Sequence, residues 1–190
     1  MPKPPILPAV DWAAVFTAAV PFADWLRDGE SEENRAAMRR AAAEQVLTAS
    51  DAARLAALGR PVHVVAFAED WCGDVVRHVP VLARLAAAAG DRLRARYLAR
   101  AAAPQIFCRF LTNGGEAVPK FVFLNDRWVE CGNWGPMPAR GREIIARGKA
   151  CGDVSAARRR VADLYAADPG RREVVEELLC LLEIAAAAAP

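Results

Sequence analysis

Ala68-Glu69-Asp70-Trp71-Cys72-Gly73-Asp74-Val75 follows the apolar run Val62–Phe67 and opens a helical stretch. Val62 to Ala68 is apolar nearly throughout, as a central strand covered on both faces would be. Gly73 to Ala89 has helical composition, with Pro80 inside it. Together these place a cysteine, Cys72, at a strand-to-helix turn. A second piece, Val118-Pro119, leads into another apolar run, Pro119 to Leu124.

Outward from this turn the chain alternates. Arg92 to Leu98 alternates polar and apolar and reads as a strand. Pro104 to Leu111 is a short helix closed by Thr112-Asn113-Gly114-Gly115. Pro119 to Leu124 is a strand, Asn125-Asp126 a hairpin turn and Trp128 to Cys131 the partner strand. Pro138 to Lys149 is a helix. The order β-α-β-α-β-β-α makes the first two strands parallel, through a right-handed crossover, and the last two antiparallel. The expected fold class is α/β: a four-stranded mixed sheet flanked by helices.

Helices extend the core at both ends. Residues 1–10 are Pro-rich and read as an extended arm. Asp11 to Arg27 is helical with a break at Pro21, Ser31 to Leu47 is helical, and Thr48 to Asp51 carries a capping-box pattern. Val154 to Ala167 and Arg171 to Ala189 are further helices, separated by Asp168-Pro169-Gly170. The division is 1–60, an arm and helices; 61–150, the core; 151–190, a helical extension; all three form one compact domain.

Composition excludes several classes. The chain has 190 residues, 54% hydrophobic and 25% charged, which is enough to bury a core without staples. A net charge of +2 gives no footprint for nucleic acid or an anionic membrane. Met1-Pro2-Lys3-Pro4-Pro5 is not a secretory signal, and no run reaches the roughly 18 apolar residues of a membrane span. The five cysteines, at 72, 108, 131, 151 and 180, show no Cys-X-X-Cys spacing. A disulfide framework is not expected, and a reducing, cytoplasmic setting is. Two histidines and separated cysteines do not make a metal site.

Trp71-Cys72-Gly73 and Val118-Pro119 resemble the thioredoxin superfamily. Cys72 and Pro119 are 47 residues apart, Pro80 follows Cys72 by eight, and Gly135 follows Pro119 by 16, all as in thioredoxins. Glu69-Asp70-Trp71-Cys72-Gly73-Asp74, Leu111-Thr112-Asn113-Gly114-Gly115, Val118-Pro119-Lys120-Phe121 and Trp134-Gly135-Pro136 resemble, more narrowly, a bacterial "thioredoxin family protein" subfamily without a settled function. The resemblance implies a cis Val118-Pro119 peptide beside the sulfur, a backbone on which an extended peptide or glutathione pairs as an added strand. It also implies a substrate groove of Trp71, Gly73, Asp74, Val118, Pro119, Trp134 and Gly135, with Trp71, Val118 and Trp134 as an apolar collar.

Three departures matter. Val75 stands where the resolving cysteine of Cys-X-X-Cys would be. Ala66 replaces the buried carboxylate six residues before the cysteine. Ala101-Ala102-Ala103-Pro104 replaces an acidic stretch common in the subfamily.

Chemistry therefore centres on Cys72. A helix N-terminus favours its thiolate by roughly 0.3–1 kcal/mol, up to about 2 when partly buried, while Glu69, Asp70 and Asp74 oppose it. Asp74 is expected as a first-turn cap, His63 as a structural polar tip, and His78 on a different helix face from Cys72. Cys108 and Cys131 are the candidate distant resolving cysteines, and Cys151 and Cys180 are read as small core residues.

Three functions compete. The first is a monothiol redox protein whose Cys72 forms mixed disulfides with a protein or peptide client, resolved by an external thiol such as glutathione or by the client's own. It needs no bound cofactor and leaves oligomerisation open. The second is a non-catalytic peptide-binding module. The third, a cluster-binding monothiol glutaredoxin, lacks that family's lysine before the cysteine and its Gly-Gly/Asp motif.

Overall fold

The structure, a computed structural model, describes residues 7–187. Most of the arm expected over 1–10, and the end of the helix expected to reach Ala189, lie outside those residues. The elements are α1 (Trp12–Ala18), α2 (Phe22–Arg27), α3 (Glu32–Glu44), α4 (Ala49–Ala56), β1 (Val62–Phe67), α5 (Gly73–Ala89), β2 (Leu93–Leu98), α6 (Pro104–Phe107), β3 (Lys120–Leu124), β4 (Glu130–Trp134), α7 (Ala139–Ala150), α8 (Val154–Ala167) and α9 (Arg172–Ala185). The sheet runs β2-β1-β3-β4, with β1 parallel to β2 and antiparallel to β3, and β3 antiparallel to β4. This is the expected mixed four-stranded sheet, flanked by helices and extended by helices at both ends.

Strand pleating assigns the two faces. His63 and Phe67 of β1 point to one side: His63 meets Phe16 of α1, and Phe67 meets Phe107 of α6. Register pairs Ala66 with Phe121 and Val64 with Phe123 on the other side. There Phe121 stacks on Trp134, which meets His78 of α5 and hydrogen-bonds Glu177 of α9. The α9 stripe Val174, Val175, Leu178, Leu179 and Leu182 is buried, as helical spacing requires. The outer edge of β2 is paired by Val20, which exchanges backbone bonds with Tyr97 of 3.0 and 2.8 Å. This bridge sits at the Pro21 break between α1 and α2 and blunts a strand edge.

Two local expectations change. The hairpin turn runs longer than Asn125-Asp126. Asn125 Oδ1 accepts the N–H groups of Arg127 and Val129, both at 2.9 Å, and Trp128 takes φ +63°. β4 therefore begins at Glu130, and Trp128 leaves the strand to stack on His63 with centroids 4.2 Å apart. The helix expected over Pro104–Leu111 is α6 followed by a 3₁₀ turn, Cys108–Phe110.

The topology then positions the site. Phe67, the last residue of β1, pairs with Lys120, the first of β3. The loop after β1 and the Val118-Pro119 segment before β3 therefore emerge side by side.

Candidate functional site

Cys72 is the N-cap residue of α5 and is half-buried. Val118-Pro119 is a cis peptide. The Cys72 thiol donates to the Val118 carbonyl at 3.4 Å. Burial pushes the Cys72 thiol up from its ordinary value; the nearby N–H groups of Val75 and Asp74 and the Arg100 guanidinium pull it down, and burial wins. At neutral pH the sulfur is held as a thiol.

The three carboxylates expected to crowd Cys72 are directed elsewhere. Asp70 is 6% exposed and turns to the start of α3, accepting the Ser31 N–H at 2.7 Å, while Asn34 Nδ2 donates to its carbonyl at 2.9 Å. Glu69 accepts the Arg100 N–H at 3.0 Å. Asp74 sits in the first turn of α5 as expected, but rather than capping an N–H group its Oδ1 accepts the hydroxyl of Tyr165, from α8, at 2.9 Å. Of the three, Asp74 is the one whose charge acts on the sulfur. Its carboxyl is itself raised by burial.

Tyr165 joins α8 to α5. Its hydroxyl also meets His78 Nε2 at 3.1 Å, and Arg77 lies 4.3 Å over its ring. Arg77 donates onward to the carbonyls of Tyr165 (3.0 Å) and Asp168 (2.7 Å). His78 is fully buried and pushed down to about 3 by burial and by Arg77 and Arg171, so it is neutral. With the tyrosine donating to Asp74, the imidazole donates from Nε2 and its buried Nδ1 has no partner. His63 packs between Phe16 and Trp128, where burial depresses it.

The groove is a cleft of about 800 Å³ between Trp71–Arg77, the Thr112–Val118 loop and the α7–α8 hairpin. Trp71, Gly73, Asp74 and Val118 line it with Cys72. Trp71 is 52% exposed, and Arg100 stacks 5.6 Å from its ring. Trp134 is a correction: it does not form the collar. It lies in β4, its side chain alternates inward, and it is 2% exposed against Phe121. Gly135 supports the site from behind. At φ +119° any Cβ there would sit 2.0 Å from the Pro119 carbonyl oxygen. Lys120 Nζ donates to the Gly135 carbonyl at 2.8 Å, and burial brings this ammonium down to about 8.

The distant cysteines are not brought to Cys72. Cys131 falls at the irregularity opposite Phe123 and Leu124, at least five residues along β3 from Val118. That is roughly 16 Å of strand, against the ~7 Å between Cα atoms that a disulfide permits. Cys108 is exposed, donates to Gln105 O at 3.2 Å and does not line the cleft. Cys151 and Cys180 are exposed, not core residues. Cys151 caps the end of α7, and Cys180 lies on the outer side of α9 beside Arg54. Val75, in place of a resolving thiol, is buried completely. Among the described residues no group of three or more His, Cys, Asp or Glu side chains is arranged to hold a metal ion.

Sequence reasoning missed the opposite wall. Arg142, Ile145 and Lys149 of α7 lie at i, i+3 and i+7. Val154, Arg158, Val161 and Tyr165 of α8 lie at i, i+4, i+7 and i+11. Both sets share a helix face, so spacing could have found them. Gly148 lets the helices close: a Cβ there would meet the Ala157 Cβ at 2.4 Å.

Residues 20–156 match a protein family described as Thioredoxin. Among solved structures, a crystal structure of a protein of unknown function from Pseudomonas aeruginosa is 16% identical at a TM-score of 0.71, covering 92% of this chain and 98% of that one. An HIV epitope-scaffold is 16% identical at a TM-score of 0.70, with the same coverages. These likenesses concern the fold alone. No curated protein matches the chain.

Proposed function

The chain belongs to the thioredoxin family, and on that premise we propose that it is a monothiol thiol–disulfide exchange protein acting through Cys72. The observation that carries this reading is the Cys72 sulfur beside the Val118 carbonyl, opening into a cleft lined by no second cysteine. The Glu69–Asp74 motif resembles that of the bacterial "thioredoxin family protein" subfamily, and the reading places the protein in a reducing, cytoplasmic setting.

The cycle follows from the geometry. The thiol gives up its proton, and the thiolate attacks one sulfur of a client disulfide. A Cys72–client disulfide forms, and the other client sulfur leaves as a thiolate and takes a proton. With Val75 in place of a local thiol, a second thiol deprotonates and attacks the client sulfur of the mixed disulfide, returning the Cys72 thiolate. That thiol is low-molecular-weight, such as glutathione, or the client's own. An extended client whose N–H takes the Val118 carbonyl removes the acceptor that holds the Cys72 proton, which favours the reactive form.

The test is exchange between a disulfide and excess thiol, followed by release of coloured thiol. Cys72→Ser is expected to abolish the protein-dependent rate, and full retention would contradict the reading. One observation favours a second reading, a non-catalytic peptide-binding module: burial holds the Cys72 thiol above its ordinary range. Peptide binding that survives Cys72→Ser but is lost on Trp71→Ala would select it.

A further inference from the structure

Resting on the thiol-exchange reading, we infer that the cleft selects disulfides and thiols whose sulfur is flanked by carboxylates, held by Arg142, Lys149 and Arg158. All three line the cleft opposite Cys72. None of them forms an ion pair with any described residue. Arg142 Nε is buried without a hydrogen-bond partner.

The other charges of the cleft have partners within the protein, although Glu116 stays largely exposed. Asp74 accepts from Tyr165, Glu116 sits 3.6 Å from Arg100, and Arg77 is bonded to two carbonyls. Behind the wall Lys120 is close enough for Arg142 to depress it further, after burial. A surplus of unmatched cations around one concavity focuses a positive field on whatever enters.

The spacing of the cations selects the class of anion. Arg142 and Lys149 are seven residues apart on one helix face, about 10 Å along the axis. Arg158 comes from the neighbouring helix. Donors spread this way do not converge on one compact phosphate. They suit separate carboxylates carried on either side of a sulfur, as in peptides and amino-acid-derived thiols. The volume of about 800 Å³ holds a ligand of that size.

The experiment compares a charge series: 3,3'-dithiodipropionate (anionic), 2-hydroxyethyl disulfide (neutral) and cystamine (cationic). Formation of each Cys72 adduct is followed by mass spectrometry and divided by the rate of the same disulfide with a neutral reference thiol. The anionic disulfide is expected to lead the neutral one by roughly ten-fold, with cystamine slowest. The preference should collapse in about 1 M NaCl and in Lys149→Glu/Arg158→Glu, whose folding is checked by thermal unfolding. Equal normalised rates, or a preference that survives the double variant, overturn the inference.

Binding of S-methylglutathione, a dicarboxylate with no exchangeable sulfur, is read alongside by isothermal titration calorimetry. If no disulfide reacts yet this ligand binds and the double variant loses it, the anion site stands and thiol exchange falls. If it neither binds nor any disulfide reacts, both fall.

Discussion

Cations on two sides of this molecule are treated in opposite ways. On the α4–α9 side they are matched: Arg172 pairs with buried Asp51 at 2.6 Å, and Arg54 pairs with Glu176 and Glu183, both at 2.6 Å. On the α7–α8 side Arg142, Lys149 and Arg158 face a cleft unmatched. Matched pairs dock the terminal helix onto the fold. The cleft cations have no such partners, and under the inference above they meet what enters beside Cys72. The tryptophans repeat the contrast: Trp134 is buried with its indole N–H bonded to Glu177, while Trp71 is half-exposed at the cleft.

The largest effect expected is at Trp134. Trp134→Ala should cost about 3–5 kcal/mol in chemical unfolding, whereas Trp71→Ala should cost less than about 1 kcal/mol. Similar losses at both would erase the distinction between scaffold and cleft.

Next comes the ion pair of buried Asp51 with the partly exposed Arg172. Asp51 accepts Arg172 and also closes the capping box with Thr48, so Asp51→Ala should cost about 2–4 kcal/mol. Its carboxyl is lowered to about 2, chiefly by Arg172. This contribution is present above the ordinary carboxylate range and disappears as pH falls through about 2. Lys149→Ala and Arg158→Ala should stay within about 0.5 kcal/mol of wild type. A loss at these positions comparable to Asp51→Ala would make them structural.

A smaller effect sharpens the link between α5 and α8. His78, depressed to about 3, binds fewer protons folded than unfolded between pH 3 and its ordinary 6.5. Its contribution is full above that range and falls as the solution is acidified. Wild type should therefore lose stability relative to His78→Gln by up to about 1.4 kcal/mol per pH unit below 6.5. Parallel curves would mean that His78 is not buried neutral.

The smallest effect is a rate profile. Because burial raises Cys72, its alkylation by iodoacetamide should still be climbing about ten-fold per pH unit near pH 8. A plateau below pH 7 would reveal an activated thiolate.

Much of this was legible in sequence where local signals and fold agree. The apolar β1, the Pro80-bearing α5, the Thr48 capping box and the Pro21 break all appear where composition put them. Trp134 misled because glycine and proline follow it, while only strand pairing reveals that it points inward. Asp74 takes its first-turn place, but its hydroxyl partner, Tyr165, lies 91 residues away, beyond any local capping rule. The cleft's second wall depends on how α7 and α8 pack back onto the core, and only their same-face spacing marks it in the chain.

The central claim is that Cys72 exchanges with disulfides entering the cleft. Peptide-mapped mass spectrometry during titration with oxidised glutathione tests it directly, because exposed Cys108, Cys151 and Cys180 serve as internal controls. The account predicts that Cys72 is modified first, to full occupancy, although burial disfavours its thiolate. If the exposed cysteines are modified while Cys72 stays free in the folded protein, thiol exchange through this site is contradicted.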